Sequence, residues 1–264
     1  ENLASKGYVV ASIDHKDSTY DDQQSIASTL YNRPTDQRNV LSFLALLSEE
    51  LGNPLYSLVD SERTGIIGYS MGGYGLVNNL GGGFSVQSVN GFISPPNGLL
   101  GIHSTSNPDF RDTLDRRIKA GFIIAPWGMN AGFWTEADLV GINAPSFYIA
   151  GDQDTVAGYK NGTRKIFEGA INSDRYLLTY IGAGHNAGAP IPLPIELDNE
   201  ENAEPATHYR DDNWDNVEMN NIMDHFATIW FDKHLKGVER NDALKNIPEN
   251  YRERLRLEHL SIGE

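Results

Sequence analysis

A chain of 264 residues is long enough for one sizeable α/β domain with a substantial buried core. Its 36 acidic side chains outweigh 21 Lys and Arg, a net charge of −15 that repels nucleic-acid backbones and anionic lipid heads and argues against both as partners. The absence of cysteine excludes disulfides, thiolate metal sites and a cysteine nucleophile, and no run of 18 apolar residues marks a transmembrane helix.

Residues Glu1 to Gly7 read as the last turns of an amphipathic helix closed by glycine, not as a signal peptide. That opening leads us to expect earlier elements upstream, with any targeting signal among them, so the compartment stays open. Tyr8–Ile13 (YVVASI) is rich in β-branched residues and predicts a strand ending at Asp14 and His15. Residues 17–37 are polar and read as loop or broken helix. Apolar residues at 40, 43, 44 and 47 predict a helix over 39–51, stopped by Gly52-Asn53-Pro54. Thr64–Tyr69 is a second strand running into Ser70, and a helix over 71–80 ends at Gly81-Gly82-Gly83.

Residues 84–117 read as a loop-rich excursion with one short helix. Strands follow at 118–125, 145–150 and 176–181, with a helix over 161–170 between the last two. Residues 186–213 read as a long loop, and ten acids face a single Arg210 between 196 and 224. Apolar residues at 219, 222, 223, 226, 229 and 230 predict an amphipathic helix over 215–235, and the tail carries a charged helical stretch near 251–259. Strand–helix alternation with crossover-length connections predicts a mostly parallel sheet with helices on both faces, in a single α/β domain over 1–264. The excursion at 84–117 and the acidic loop and C-terminal helices at 186–264 are appended to it.

Gly68-Tyr69-Ser70-Met71-Gly72-Gly73 lies between an apolar strand and a helix start, the context a G-x-S-x-G turn requires. Small residues two before and two after the serine let strand and helix pass closely. The turn lifts the hydroxyl of Ser70 to the sheet's carboxyl edge and aims the Met71 backbone N–H at the same space, an oxyanion donor. The bland alternative is an ordinary tight turn. A serine hydroxyl needs a base, and the base an orienting acid, in the chain order Ser, Asp, His. Gly151-Asp152-Gln153-Asp154 follows the fourth strand; Asp154, deeper in the loop, is the favoured acid over Asp152, and helix capping is the competing reading. Gly182-Ala183-Gly184-His185 follows the fifth strand and supplies the base. Trp127, straight after the third strand, and Tyr69 are expected to line a substrate pocket, as could His15, although Trp127 could equally be an ordinary core residue. No zinc or phosphate-binding motif is present, and the acids at 198–215 lack an EF-hand spacing, so neither a metal nor a cofactor is expected.

At these residues the chain resembles the α/β-hydrolase superfamily, and within it the dienelactone hydrolase, platelet-activating-factor acetylhydrolase and bacterial cutinase (polyester hydrolase) branches. Leu3-Ala4-Ser5-Lys6-Gly7-Tyr8-Val9-Val10 resembles the segment entering the family's fourth strand, and Ala125-Pro126-Trp127 the stretch with a substrate-facing tryptophan. The resemblance implies an α/β-hydrolase fold lacking its N-terminal strands and the upstream oxyanion-hole residue. A serine carboxylesterase acting on small or short-acyl esters is therefore expected, with Ser70, Asp154 and His185 as its triad. Activity is expected to be low unless His15 or another local group replaces the missing donor. A polyester, amide or lactone hydrolase and a non-catalytic binding scaffold are the alternatives. The implied partner is a small-molecule or polymeric ester, with oligomeric state open. About 80 residues follow His185, more than cutinase-like chains carry.

Overall fold

Side chains on the central strands alternate between two apolar layers, and that period of two sets the architecture. The computed structural model describes residues 1–19, 22–189, 191–239 and 241–264. Residues 20, 21 and 190, in segments expected to be loops, and residue 240 lie outside them. Strands β1 (Thr64–Tyr69), β2 (Ile118–Ile124), β3 (Ser146–Gly151) and β4 (Arg175–Tyr180) pair in parallel in chain order, and β5 (Leu255–Leu260) runs antiparallel beside β4. The α-helices are α1 (Asn2–Ser5), α2 (Ile26–Glu49), α3 (Met71–Asn79), α4 (Val86–Val89), α5 (Glu136–Leu139), α6 (Arg164–Gly169), α7 (Ala203–Ala206), α8 (Asn216–Lys236) and α9 (Asn241–Lys245).

Phe122, Ile124, Phe147, Ile149, Tyr176 and Leu178 face one layer, where Phe226 and Trp230 of α8 meet them. Ile123, Tyr148 and Leu177 face the other, against Leu76 and Val77 of α3, Ile166 and Phe167 of α6 and Leu30 of α2. Both faces are covered, which is why these strands read as nearly continuous apolar runs. Each fully buried aromatic or aliphatic side chain contributes about 1.5–3 kcal/mol relative to exposure. At the far end of the sheet Arg175 is fully buried; its guanidinium donates to the backbone oxygens of Phe167, Glu168, Ser173, Ser261 and Glu264. The expected helix over 215–235 is α8: the Asp215 carboxylate accepts the Glu218 N–H at 2.8 Å, and Gly237 closes the helix in the left-handed conformation at φ 69°.

Three sequence expectations are corrected. Tyr8–Ile13 carries no regular secondary structure and joins no ladder among the described residues, and Val9 and Val10 are half exposed. β propensity measures the fit of a side chain to a half-buried pleated surface, and here that surface is absent. The helix expected at 39–51 begins at Ile26 and runs through Pro34. Pro34 has no N–H to give the Leu30 carbonyl, but the Tyr74 hydroxyl donates to that carbonyl at 3.2 Å, so the break a proline normally causes is repaired from α3. The charged stretch expected to be helical near 251–259 is a turn and then strand β5 from Leu255 onward. Leu255 is buried in the core while Arg256 and His259 are exposed, and β5 closes the sheet as its edge strand. In the excursion, α4 and the 3-10 turns Pro96–His103 and Phe110–Thr113 supply the little helix it holds.

His103 is almost fully buried with the Arg38 guanidinium 3.2 Å from its Nε2; burial, then the neighbouring positive charge, push its pKa down to about 3. A group whose folded pKa lies below its unfolded value of 6.5 contributes stability that is complete above 6.5 and lost as pH falls toward 3. His234, lowered to about 4 chiefly by burial, adds with the same sign. Urea denaturation is expected to give about 2 kcal/mol less stability from His103 alone at about pH 5 than at about pH 7. His103→Asn should flatten that dependence; an unchanged slope would contradict the assignment.

Candidate active site

Ser70 joins β1 to α3 with φ 51° and ψ −112°, a conformation that L-residues rarely adopt. Such strain costs about 1–3 kcal/mol and persists only where surrounding bonds fix it. They do so here: the Ser70 N–H donates to Ile124 O at 2.9 Å, and its carbonyl accepts the N–H groups of Tyr74 at 3.0 Å and Trp127 at 3.1 Å. Ala125, at φ 41°, bends the β2 exit around the same point.

The steric expectation for the turn is half corrected. A Cβ on Gly68 would lie 2.5 Å from the Gly72 carbonyl oxygen, and one on Gly73 would lie 2.9 Å from Pro126 Cα. A Cβ on Gly72 would meet nothing within 4 Å. The close passage therefore constrains the second residue before the serine and the third after it. The Gly72 carbonyl accepts the Gln37 side-chain amide at 2.9 Å, a tie from α2 to the turn that the sequence did not announce.

The Ser70 hydroxyl lies 2.9 Å from His185 Nε2, and His185 Nδ1 lies 2.9 Å from Asp154 Oδ2. The Asp154 side chain is fully buried. Burial alone would raise its pKa; the hydrogen bond and charge of His185, with backbone N–H groups of Val156 and Ala157 at 2.8 and 3.0 Å on Oδ1, outweigh it and hold the carboxyl below its ordinary value. An ionised carboxylate only accepts, so Nδ1 carries the ring proton and Nε2 is left to accept from Ser70. Asp152 sits elsewhere: its Oδ1 accepts the Gly182 N–H at 2.8 Å. That bond and the Gln153 N–H on Ala183 O at 2.9 Å zip the acid and base loops together. A Cβ on Gly151 would come within 2.2 Å of Ala183 O, so the loops meet backbone to backbone.

Of the other expected residues, Met71 opens α3, where an N–H has no intrahelical acceptor. The half-buried Trp127 ring packs on Phe133 and Tyr74 at centroid distances of 5.5 and 6.2 Å. The Tyr69 ring lies 5.3 Å from that of His185, with its hydroxyl turned to Asn186 Oδ1 at 2.8 Å. His15 is buried, with Nδ1 2.9 Å from Asp36 Oδ2. A cleft of about 350 Å³ opens on the His185 flank, lined by Gln153, Thr155 and Val156 of the acid loop, Asn186 of the base loop, and Thr207 and Arg210. The larger hollow of about 590 Å³, between Met129, Trp134 and Lys165, contains none of the three central residues. Among the described residues no cluster of three His, Asp or Glu could hold a metal ion, and no helix is long and apolar enough to cross a membrane. Sequence reasoning missed Asn186 and the 207–214 segment, whose contacts with the base loop come from remote parts of the chain.

The glycine contacts make a paired prediction. Gly68→Ala should lower stability by roughly 1–3 kcal/mol through backbone overlap. Gly72→Ala, although inside the motif, should be neutral or raise stability by up to about 1 kcal/mol, because alanine suits a helix better. Thermal melts of the two variants would check this; equal losses would contradict the reading of the turn.

Residues 1–90 match the family model for PET hydrolase-like proteins, described as PETase. No curated protein matches the chain. The matched stretch carries β1, the strained serine and α3, so the chain resembles the α/β-hydrolase superfamily both in this sequence and in its mostly parallel α/β sheet.

Proposed function

We propose that the protein is a serine ester hydrolase that forms an acyl-enzyme on Ser70. The observation that carries this is the unbroken chain from Asp154 through His185 to the Ser70 hydroxyl, with both links at 2.9 Å, on a turn whose strain the fold maintains. His185 Nε2 takes the hydroxyl proton as Ser70 Oγ attacks the ester carbonyl. Asp154 holds the ring in the required tautomer and stabilises the imidazolium. The Met71 N–H, at the positive end of α3, donates to the oxyanion. His185 then protonates the departing alcohol, and water, activated by the same ring, releases the acid.

The match of residues 1–90 to PET hydrolase-like proteins favours polyesters as a second substrate reading beside small esters. The aromatic rings of Trp127 and Tyr69, on the two sides of the Ser70 turn, suit the flat, apolar units of such polymers. Soluble short-acyl esters and a polyester film, offered to the same preparation, separate the two. A non-catalytic scaffold predicts turnover of neither.

A fluorophosphonate probe should label the protein at Ser70, with Ser70→Ala unlabelled. Asp154→Asn should keep the fold yet lower kcat by roughly 10⁴-fold, because the amide favours the wrong ring tautomer. Absence of labelling and of ester turnover in the folded protein would overturn the proposal.

A further inference from the structure

We infer that Asn186 is a positioning residue for His185, and that residues 207–214 act through it as a strap holding the base loop in register; this rests on the hydrolase reading above. The side-chain amide of Asn186 is used on both its ends. Its Oδ1 accepts the Tyr69 hydroxyl at 2.8 Å, and its Nδ2 donates to the carbonyls of Thr207 and Arg210 at 2.8 and 2.7 Å. One side chain therefore joins the residue before Ser70, the residue after His185 and the strap. Only an amide offers an acceptor and two donors in one plane; a carboxylate would face two carbonyl oxygens with no proton to give.

The strap is itself fixed. Asp211 Oδ2 accepts the Gly184 N–H at 2.7 Å, and its Oδ1 accepts the N–H groups of Asn213 and Trp214 at 2.9 and 3.1 Å. Asn213 Nδ2 donates to Gly182 O at 2.8 Å. Trp214 is buried against Tyr180, and its Nε1 donates to Ile181 O at 2.9 Å. The Arg254 guanidinium lies 3.6 Å over the indole and is held by Glu218 at 2.8 Å. Both glycines that flank the base-loop turn, Gly182 and Gly184, are thus gripped by the strap. The loop itself offers His185 little rigidity: three of its residues from 182 to 184 are Gly, Ala and Gly. Beside the Asp154 hydrogen bond and the ties to the acid loop, a second restraint on the imidazole comes from the strap side, through Asn186 and Tyr69, whose ring also packs on the imidazole.

The test is kcat per titratable Ser70 on a soluble ester, with active sites counted by fluorophosphonate labelling. Asn186→Asp, which keeps the shape and removes the donors, should lower kcat and the labelling rate in parallel by roughly 10- to 100-fold, the scale of a misplacement near 1 Å. KM should change much less than kcat, because a displaced imidazole weakens the transition state more than the bound ground state. A merely structural role would lower the melting temperature and the fraction of active sites but leave kcat per site unchanged, and that result would overturn the inference. Tyr69→Phe keeps the ring and removes only the hydroxyl; it should show the same parallel loss, smaller in size, and serves if Asn186→Asp does not fold. Wild-type labelling with unimpaired variants refutes the positioning role alone, whereas an unlabelled wild type refutes the hydrolase reading and this inference with it.

Discussion

A single residue with positive φ organises the site. Ser70 can hold its conformation because three backbone hydrogen bonds, from β2, from α3 and from the Ala125–Trp127 turn, meet on it. Each of those partners is anchored in a buried layer, so the strain at one hydroxyl is sustained by the packing of the whole parallel sheet. Reversing the logic, any change that loosens the exit of β2 reaches Ser70 directly, since Ile124 and Trp127 both bond to its backbone.

The second requirement is electrostatic. A fully buried carboxylate is costly unless its oxygens are satisfied, and Asp154 meets this with two backbone N–H groups on one oxygen and His185 on the other. The protein's large negative charge lies mostly on solvated segments, where screening weakens it. Local donors and not net charge therefore set the state of the one acid that matters here. Asp152, two residues away, has a mechanical task instead, tying the acid loop to Gly182.

What could be read from the sequence was what local chemistry fixes. The Gly-Tyr-Ser-Met-Gly turn, the Asp154 loop and the His185 loop each follow an apolar strand, and small residues mark each bend. The structure brings the three side chains within hydrogen-bond reach of one another. Less was legible where the outcome depends on a distant partner. Tyr8–Ile13 has strand-like residues but no ladder among the described residues, and Pro34 looks like a helix break until Tyr74 reaches the orphaned carbonyl of Leu30. Residues 255–260 look helical by charge but pair antiparallel with β4, a partner 75 or more positions away. Asn186 was invisible as a functional candidate because its partners lie at positions 69, 207 and 210, and no spacing rule joins them.

The pairing of β4 with β5 bears on how such a molecule could diversify. The chain leaves β4 at Tyr180, builds the base loop, the strap and α8, and returns to lie beside its point of departure at Leu255. The intervening stretch is a lobe stapled at its neck. For a lobe of this kind the entropic penalty of added length grows only logarithmically, about 0.6 kcal/mol for each doubling. Residues inserted along the rim of the His185 cleft would therefore cost the fold little, so that rim can be remodelled while the strained hydroxyl and its sheet stay as they are.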